Sequence, residues 1–416
     1  MIRVRDPFRR SQLAIAALFC FLGFQYGTWA SRVPALKARL DLTPAEVGLM
    51  LLATGVGAVL SFSLVARLMT QLGSRRLAAV SALGLVLILA ALSVAPSYPV
   101  AIVVLFLDGV AVACLNVAMN AQAAALEAKY QRNTMAKLHA VFSGGIFGAA
   151  LVASAVTSLT SGLAVHFGVA AIILLLLVFT AWSGMPIEDE TPEQAEPVAA
   201  AETAGASADG ARRRWRLPAR MTLLLGLAMV FGEMVEGAMN DWTALYLRDV
   251  THAAEELTPL GIAVVSGMMV LARLFADGWR TRWGNKQVVV VGAALAGCGL
   301  TAAVVLGGLA PALIGFAFVG LGMAAVTPII YVCAARQGSD ALTFVATMGT
   351  VGLLAGPPVI GFIAEASSLV WGMGTVAAFA FLVSLSLVRW PRDAFEAEEK
   401  TTRVDEGSPA VPEGVA

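Results

Sequence analysis

Charge is scarce in this sequence. Only 13% of its 416 residues are Asp, Glu, Lys or Arg, about half the share of an ordinary soluble domain. A chain this poor in polar side chains cannot cover a water-facing globule. Intrinsic disorder, a coiled coil and a nucleic-acid binder are excluded with it. Histidine is scarcer still: His139, His166 and His252 are the three copies, too sparse for a zinc site. The four cysteines, Cys20, Cys114, Cys298 and Cys333, lie far apart inside apolar runs. They form neither a metal spacing nor a disulfide framework and read as small core residues. No phosphate-binding P-loop is present, so ATP is not the energy source, and no nucleophile elbow marks an enzyme. No cofactor is expected.

What is abundant is apolar. Hydrophobic residues make up 58% of the chain, and mean hydropathy is +0.80. A bilayer core of roughly 30 Å takes about 20 apolar residues per helix. Runs of that size occupy 12–33, 44–66, 78–95, 100–126, 138–160 and 165–183, and after a gap 221–247, 259–279, 287–308, 311–335, 343–366 and 369–389. They are continuous rather than alternating, which excludes a membrane barrel. The expected fold class is therefore an all-α polytopic membrane protein with 12 transmembrane helices. The first run follows Arg9 and Arg10 but is too long for a signal peptide and lacks a small-residue cleavage site. It counts as span 1.

Charge placement gives the orientation. With the N-terminus in the cytoplasm, only Arg32, Lys37, Arg39 and Arg248 of the 28 Lys and Arg fall outside, the expected positive-inside bias. Both termini are then cytoplasmic. Trp182, Trp215, Trp279, Trp283 and Trp390 fall at the cytoplasmic interface as an aromatic belt. The expected layout is a six-helix bundle over 1–183, a disordered cytoplasmic linker over 184–220, a second six-helix bundle over 221–389 and a disordered tail over 390–416. The linker is acidic first and then basic, with Arg212, Arg213, Arg214 and Arg216 suited to anionic lipid.

The two bundles read as repeats. Leu42-Thr43-Pro44 and Leu257-Thr258-Pro259 each precede an apolar run, with Thr as an expected N-cap and Pro at the first helical position. Gly73 and Gly284, Gly109 and Gly320, and Asn116 and Thr327 are each 211 residues apart. Two pseudo-symmetric six-helix halves are the architecture of one class of secondary transporters.

These features resemble the major facilitator superfamily. Gly73, Arg75 and Arg76 match its G-x-x-x-D-R-x-G-R-R signature, while Thr70 and Gln71 depart from it; Arg282 and Gly284 match in the second half, while Thr281 departs. Arg273 and Asp277, one helical turn apart, are positioned to supply the missing salt bridge. The stretch Glu236-Gly-Ala-Met-Asn240-Asp241-Trp242, with Asn116 to Gln122 in span 4 and Gly356-Pro357-Pro358 in span 11, resembles the MosC/YbjJ-like branch. The resemblance implies a multi-pass transporter of the bacterial inner membrane, with a midplane site lined by spans 1, 4, 7 and 10. It links the branch thinly to inositol-type compounds.

Ionisable groups at membrane depth are functional candidates by default. In span 7, Glu233, Glu236 and Asn240 share one stripe within about 60°. Glu236 and Glu233 are the leading proton carriers, against a structural hydrogen-bonded pair. Asp108 in span 4 has no evident intramembrane cation, since no basic residue is placed deep in any span. It is either a proton carrier or a partner of Arg32 or Arg248, and Asp241 faces the same choice. Trp242 beside it reads as an interface anchor. Arg32, Asp241, Arg273 and Asp277 are the gating candidates. Asn116 and Asn120 share a face with Glu127; they suit hydroxyl-rich ligands or helix packing, and Glu127 suits a gate or loop contact. Gln25 and Trp29, near Tyr26, and Thr327, Pro328 and Tyr331 in span 10 complete the substrate candidates, with Asn240. His166 and His252 read as outer and solvated. His139 is a pH reporter or a structural residue, and Gly356-Pro357-Pro358 should kink span 11.

The expectation is a secondary active transporter moving a small polar solute, sugar or cyclitol-like, by alternating access. Protons would be the coupling ion, lipids the surroundings, and a monomer the working unit. A carboxylate-rich cavity without buried cations disfavours anionic solutes. It leaves efflux of cationic or amphipathic drugs as an alternative, although span 5 lacks the Gly-Pro motif of drug antiporters. A non-transporting sensor or scaffold is the third reading.

Overall fold

The computed structural model describes residues 6–132, 134–185 and 220–388, apart from the Asp277 side chain. Most of the linker, the tail, Trp215 and Trp390 lie outside the described residues. Among the described residues eleven helices are long and apolar enough to cross a membrane, and Pro44–Leu60 is a shorter apolar helix.

The first half contains α1 (Pro7–Ala30), α2 (Val33–Leu40), α3 (Pro44–Leu60), α4 (Phe62–Val94), α5 (Tyr98–Tyr130), α6 (Met135–Thr157) and α7 (Leu163–Trp182). The second contains α8 (Arg220–Asp241), α9 (Thr243–Asp249), α10 (Leu260–Trp283), α11 (Asn285–Leu306), α12 (Leu309–Met323), α13 (Val326–Arg336), α14 (Ser339–Ala366) and α15 (Leu369–Val388). Residues 62–72 of α4 extend α3 to complete the second span. Gly73 then turns the chain into the third, at φ 72° and ψ 165°. Twelve crossings result.

The 211-residue repeat is visible in the backbone. Gly284 has φ 83° and ψ 156°, the conformation of Gly73, in a region that excludes most side chains. A Cβ on Gly109 would stand 1.8 Å from the Thr54 carbonyl oxygen, and one on Gly320 would stand 2.4 Å from that of Val265. Thr54 and Val265 are themselves 211 apart. The same helix crossing is thus built twice, through the same missing side chain. The Thr-Pro openings diverge, however. Thr43 closes a capping box with Glu46 at the head of α3. Thr258 has helical dihedrals and donates to the Glu255 carbonyl at 2.9 Å, inside a 3-10 turn before α10. Glu255 and Glu256 put a turn where the first repeat has a cap.

The halves meet along α3 with α14 and along α6 with α10. Gly48 and Gly361 let the first pair touch backbone to backbone: a Cβ on either would stand under 3 Å from a carbonyl oxygen of the opposite helix. α14 passes Pro357 and Pro358 as one unbroken helix. One end of the bundle is bridged across the halves. Lys37 on α2 donates to Asp249 on α9 at 2.6 Å, Arg248 donates to the Pro34 carbonyl, and the Ala45 amide reaches Glu365 at 3.4 Å. The elements α2 and α9 are counterparts, each following the first spanning helix of its half. At the opposite end Arg10 donates to the Ser183 carbonyl and Gln122 to Ser74 inside the first half, and Thr222 donates to Gln337 inside the second.

Several placements correct the sequence reading. His166 is fully buried rather than solvated, because it lies on the face of α7 turned to the core. Trp242 is buried at the α8–α9 break, not an interface anchor. Cys298 is exposed on α11, while Cys114 and Cys333 are buried. Trp182 and Trp283 are exposed as a belt requires, and Arg75 lies 4.4 Å over the Trp182 ring.

The twin crossings predict a matched pair of defects. Gly109→Ala and Gly320→Ala should each destabilise the protein by about 1–3 kcal/mol, the usual range for overpacking. Gly84→Ala, where a Cβ meets nothing within 4 Å, should not. Thermal melting in detergent reads the difference.

Candidate functional site

The polar side chains at membrane depth fall into linked groups. The first centres on Arg273, near the midpoint of the 24-residue α10. Its Nη2 pairs with Glu236 Oε1 on α8 at 3.6 Å, and its Nη1 donates to Ser143 Oγ on α6 of the other half. Its Nε donates to the Ala324 carbonyl at 3.4 Å. That carbonyl is free for a local reason. Pro328, four residues on, has no N–H to bond it, so the tenth span breaks at Ala324–Ala325 into α12 and α13.

This arrangement overturns the expectation that no basic residue lies deep in a span. The charge count groups Arg273 with the cytoplasmic charges, because the nearby Arg280 and Arg282 do belong to the end of α10. The side chain of Asp277 lies outside the described residues, so the expected Arg273–Asp277 pair is not described.

The second group crosses the halves through Tyr26. Its hydroxyl donates to Asp241 Oδ1 at 2.6 Å, and its ring meets Trp29 edge-on at 5.3 Å. Next to it on α1, Gln25 Nε2 donates to Asp108 Oδ1 on α5 at 2.7 Å. Asp108 therefore pairs with an amide, and Asp241 with a phenol. Neither meets the arginines first considered for them. Arg32 donates to Thr157 and to the Ser161 carbonyl, bracing α1 to the end of α6, and Arg248 binds Asp249.

The remaining candidates make short local bonds. Thr327 donates to Glu233 at 3.3 Å, joining α13 to α8. Asn240 donates to the Glu236 carbonyl one turn back at 3.1 Å. Asn120 donates to Asn116 Oδ1 at 2.9 Å, and the half-buried Asn116 keeps its own amide N–H groups. Tyr331 is half-buried on α13. Glu127 accepts from the Met135 amide at 2.7 Å and from that of Thr134, capping α6. His139 is half-buried with its ring edge-on to Phe19. Trp29 is 2% exposed, and its indole N–H has no partner; the same holds for Trp242.

Spans 1, 4, 7 and 10 thus converge, and Ser143 and Arg273 bring in spans 5 and 8. Ser143, Lys37 and Asp249 were not singled out from sequence. Lys37 and Asp249 carried no signal, because nothing in either segment says which partner the other half presents.

Twelve helical crossings in two matched halves, with ionisable side chains meeting at the seam, are the architecture of a secondary transporter. The profile of the Major Facilitator Superfamily matches residues 13–342. The chain belongs to that superfamily. It is 32% identical over 394 residues to an uncharacterized transporter, y4wD, of Sinorhizobium fredii, covering 92% of this chain and 98% of the relative. It is 29% identical to the membrane protein MosC of Rhizobium meliloti, covering 91% and 90%. Among solved structures, the nucleoside transporter NupG superposes with TM-score 0.67 at 15% identity, covering 92% and 98%. A D-xylose-proton symporter does so with TM-score 0.70 at 14% identity, covering 93% and 99%. Family and apolar helices together make this a multi-pass protein of the bacterial inner membrane and a transporter rather than an enzyme.

The bridged end generates a prediction. Asp249 lies beyond the span. Burial pushes its carboxyl up, but hydrogen bonds from Arg248 and Lys37 and their charges outweigh it and hold the carboxyl below the ordinary carboxylate range. A lowered value means that the bridge is fully formed above that range and is lost only as pH falls through it. The two side chains keep 20% and 27% exposure, so the pair contributes about 1 kcal/mol at most. Lys37→Ala and Asp249→Asn should each open this end by no more than about fivefold, and the double variant should open it no further. Spin-label distances across the end, unchanged between about pH 5 and 8, would check both statements.

Proposed function

We propose that the protein moves a small polar solute, of sugar or cyclitol type, across the inner membrane by alternating access coupled to protons. The observation that carries this reading is the Glu236–Arg273 pair with Ser143. A carboxyl on one half and a hydroxyl on the other share one guanidinium at membrane depth, where the halves must part and rejoin. A proton on Glu236 would release Arg273, and the ion pair would re-form when the proton leaves. Protonation and the fit between the halves are thereby linked. Glu236 and Arg273 keep 27% and 23% side-chain exposure, which suits groups that exchange with a water-filled space.

The solute class draws support from the uncharged polar groups of the site. Arg273 offsets Glu236, which weakens the negative field that would attract a lipophilic cation and also makes the site less hostile to an anion. Beside that pair stands a set of amides and hydroxyls: Asn116, Asn120, Asn240, Thr327 and Tyr331. Such groups offer both donors and acceptors to a polyhydroxylated ligand. The fold-level neighbours are a nucleoside transporter and a D-xylose-proton symporter, and nucleosides and xylose are both rich in hydroxyls. The charge count, which puts the bridged end outside, supports reading this conformation as closed to the outside.

The test is uptake in proteoliposomes of sugars and inositols, with and without an imposed pH gradient. Glu236→Gln keeps an acceptor for Arg273 but cannot exchange a proton. Uphill uptake should fall at least about tenfold, more than 1.4 kcal/mol of lost coupling, while counterflow exchange persists. Undiminished uphill uptake by Glu236→Gln would overturn the coupling role. Thermal shift screening identifies the solute, since a ligand at 100 times its Kd adds about 2.7 kcal/mol.

A further inference from the structure

We propose that Asp108 and Gln25 hold one proton between them as a cyclic acid–amide pair, a second proton site separate from Glu236. Asp108 is 1% exposed and Gln25 is not exposed at all. One bond of the pair is in place, from Gln25 Nε2 to Asp108 Oδ1 at 2.7 Å. The other two polar atoms, Asp108 Oδ2 and Gln25 Oε1, are buried and have no partner. With an ionised carboxyl both are acceptors, and acceptors cannot satisfy each other. Two orphaned acceptors and a full charge would then share one enclosed place, each at the cost of desolvation. One proton on Oδ2 removes the charge and turns that oxygen into a donor for Gln25 Oε1. A planar carboxylic acid and a planar carboxamide each carry a donor and an acceptor side by side, so a single proton completes both bonds.

The surroundings offer no countercharge. From α1, Tyr26 faces Asp108 and gives its hydroxyl to Asp241. Arg32, beyond the end of that helix, is engaged by Thr157 and Ser161. From α3, Thr54 contributes a buried hydroxyl oxygen without a partner, while Glu46 is held in the capping box. The charges of α4, Arg67, Arg75 and Arg76, lie around the Gly73 turn at the far end of the span. Lys137 and His139 stand in the first turns of α6, toward the same far end. Among the described residues no cation pairs with Asp108.

The pair sits next to a contact between the halves. Gln25 and Tyr26 are neighbours on α1, and Tyr26 holds Asp241 of the second half. Asp108, Glu236 and Asp241 all act electrostatically on Tyr26. A proton on Asp108 lowers the repulsion among these carboxyls and favours the bridged seam; its loss favours parting. This last step rests on the transport reading, whereas the presence of the proton does not.

Infrared difference spectroscopy of the purified full chain at neutral pH tests the site. The wild type should show a protonated-carboxyl carbonyl band that shifts in deuterium oxide and is missing from Asp108→Asn. Gln25→Leu should keep the band but shift it, because the acid loses its hydrogen-bonded partner. Asp108→Asn is expected to fold, since its amide N–H donates to Gln25 Oε1 as the acid O–H did. If it does not fold, the deuterium shift in wild type and the Gln25→Leu shift carry the test. A wild type minus Asp108→Asn spectrum with only ionised-carboxylate bands would overturn the proposal. So would a sodium-dependent rise in wild-type melting temperature that Asp108→Asn lacks, which would assign the two orphaned acceptors to a metal cation. The band should persist in Glu236→Gln. Its presence with no uptake of any solute would sink the transport reading and leave the proton site standing.

Discussion

Arg273 stands near the middle of a spanning helix, where an unpaired guanidinium costs roughly 3 kcal/mol or more. Two helices and one helix break supply what it needs. Glu236 brings the countercharge from α8, Ser143 brings a hydroxyl from α6, and Ala324 brings a carbonyl that Pro328 has left without a helical partner. The break between α12 and α13 and the approach of α6 to α10 converge on this one side chain. The seam between the halves is therefore polar at its centre, where lipid-facing logic would make it apolar.

The rest of the seam uses a different physics. Gly48 and Gly361 bring α3 and α14 into backbone contact, and Gly267 receives the Phe147 ring from α6. Such contacts gain dispersion energy only at close range and hold no fixed charge. They can be lost and remade as helices slide. Ionic and hydrogen-bonded contacts, Lys37–Asp249 and Tyr26–Asp241, are placed nearer the bridged end. The closed end is fastened by a few polar bonds, above helices packed through small residues.

Each half carries the same internal skeleton. The Gly73 and Gly284 turns and the Gly109 and Gly320 crossings recur at one offset because each solves a steric problem that only a missing Cβ solves. The candidate site residues recur in position but not in kind: Gln25 and Glu236 are 211 apart, as are Asn116 and Thr327. Asp108 belongs to the first half, and Arg273 to the second. Duplication preserved the packing and left the chemistry free to differ, as expected when backbone clearance is strict and polar partnering is local.

The sequence by itself determined the twelve crossings, the two-half repeat and the family, since these depend on run length, glycine spacing and motif residues that act locally. It also marked Glu236, Asp108, Asp241 and Gln25, because a polar side chain in an apolar run is conspicuous on its own. It did not determine their partners. Arg273 was legible as a residue near the middle of an apolar run, yet it was grouped with the basic end of its helix. Only the tertiary structure showed that Glu236 meets an arginine, Asp108 an amide, and Asp241 a phenol from the other half. His166 and Trp242 were misplaced for the same reason: depth along a helix follows from chain position, but the face that is covered depends on which helix packs against it. Partnering of buried polar groups is set by distances between segments far apart in the chain, and no local pattern encodes those.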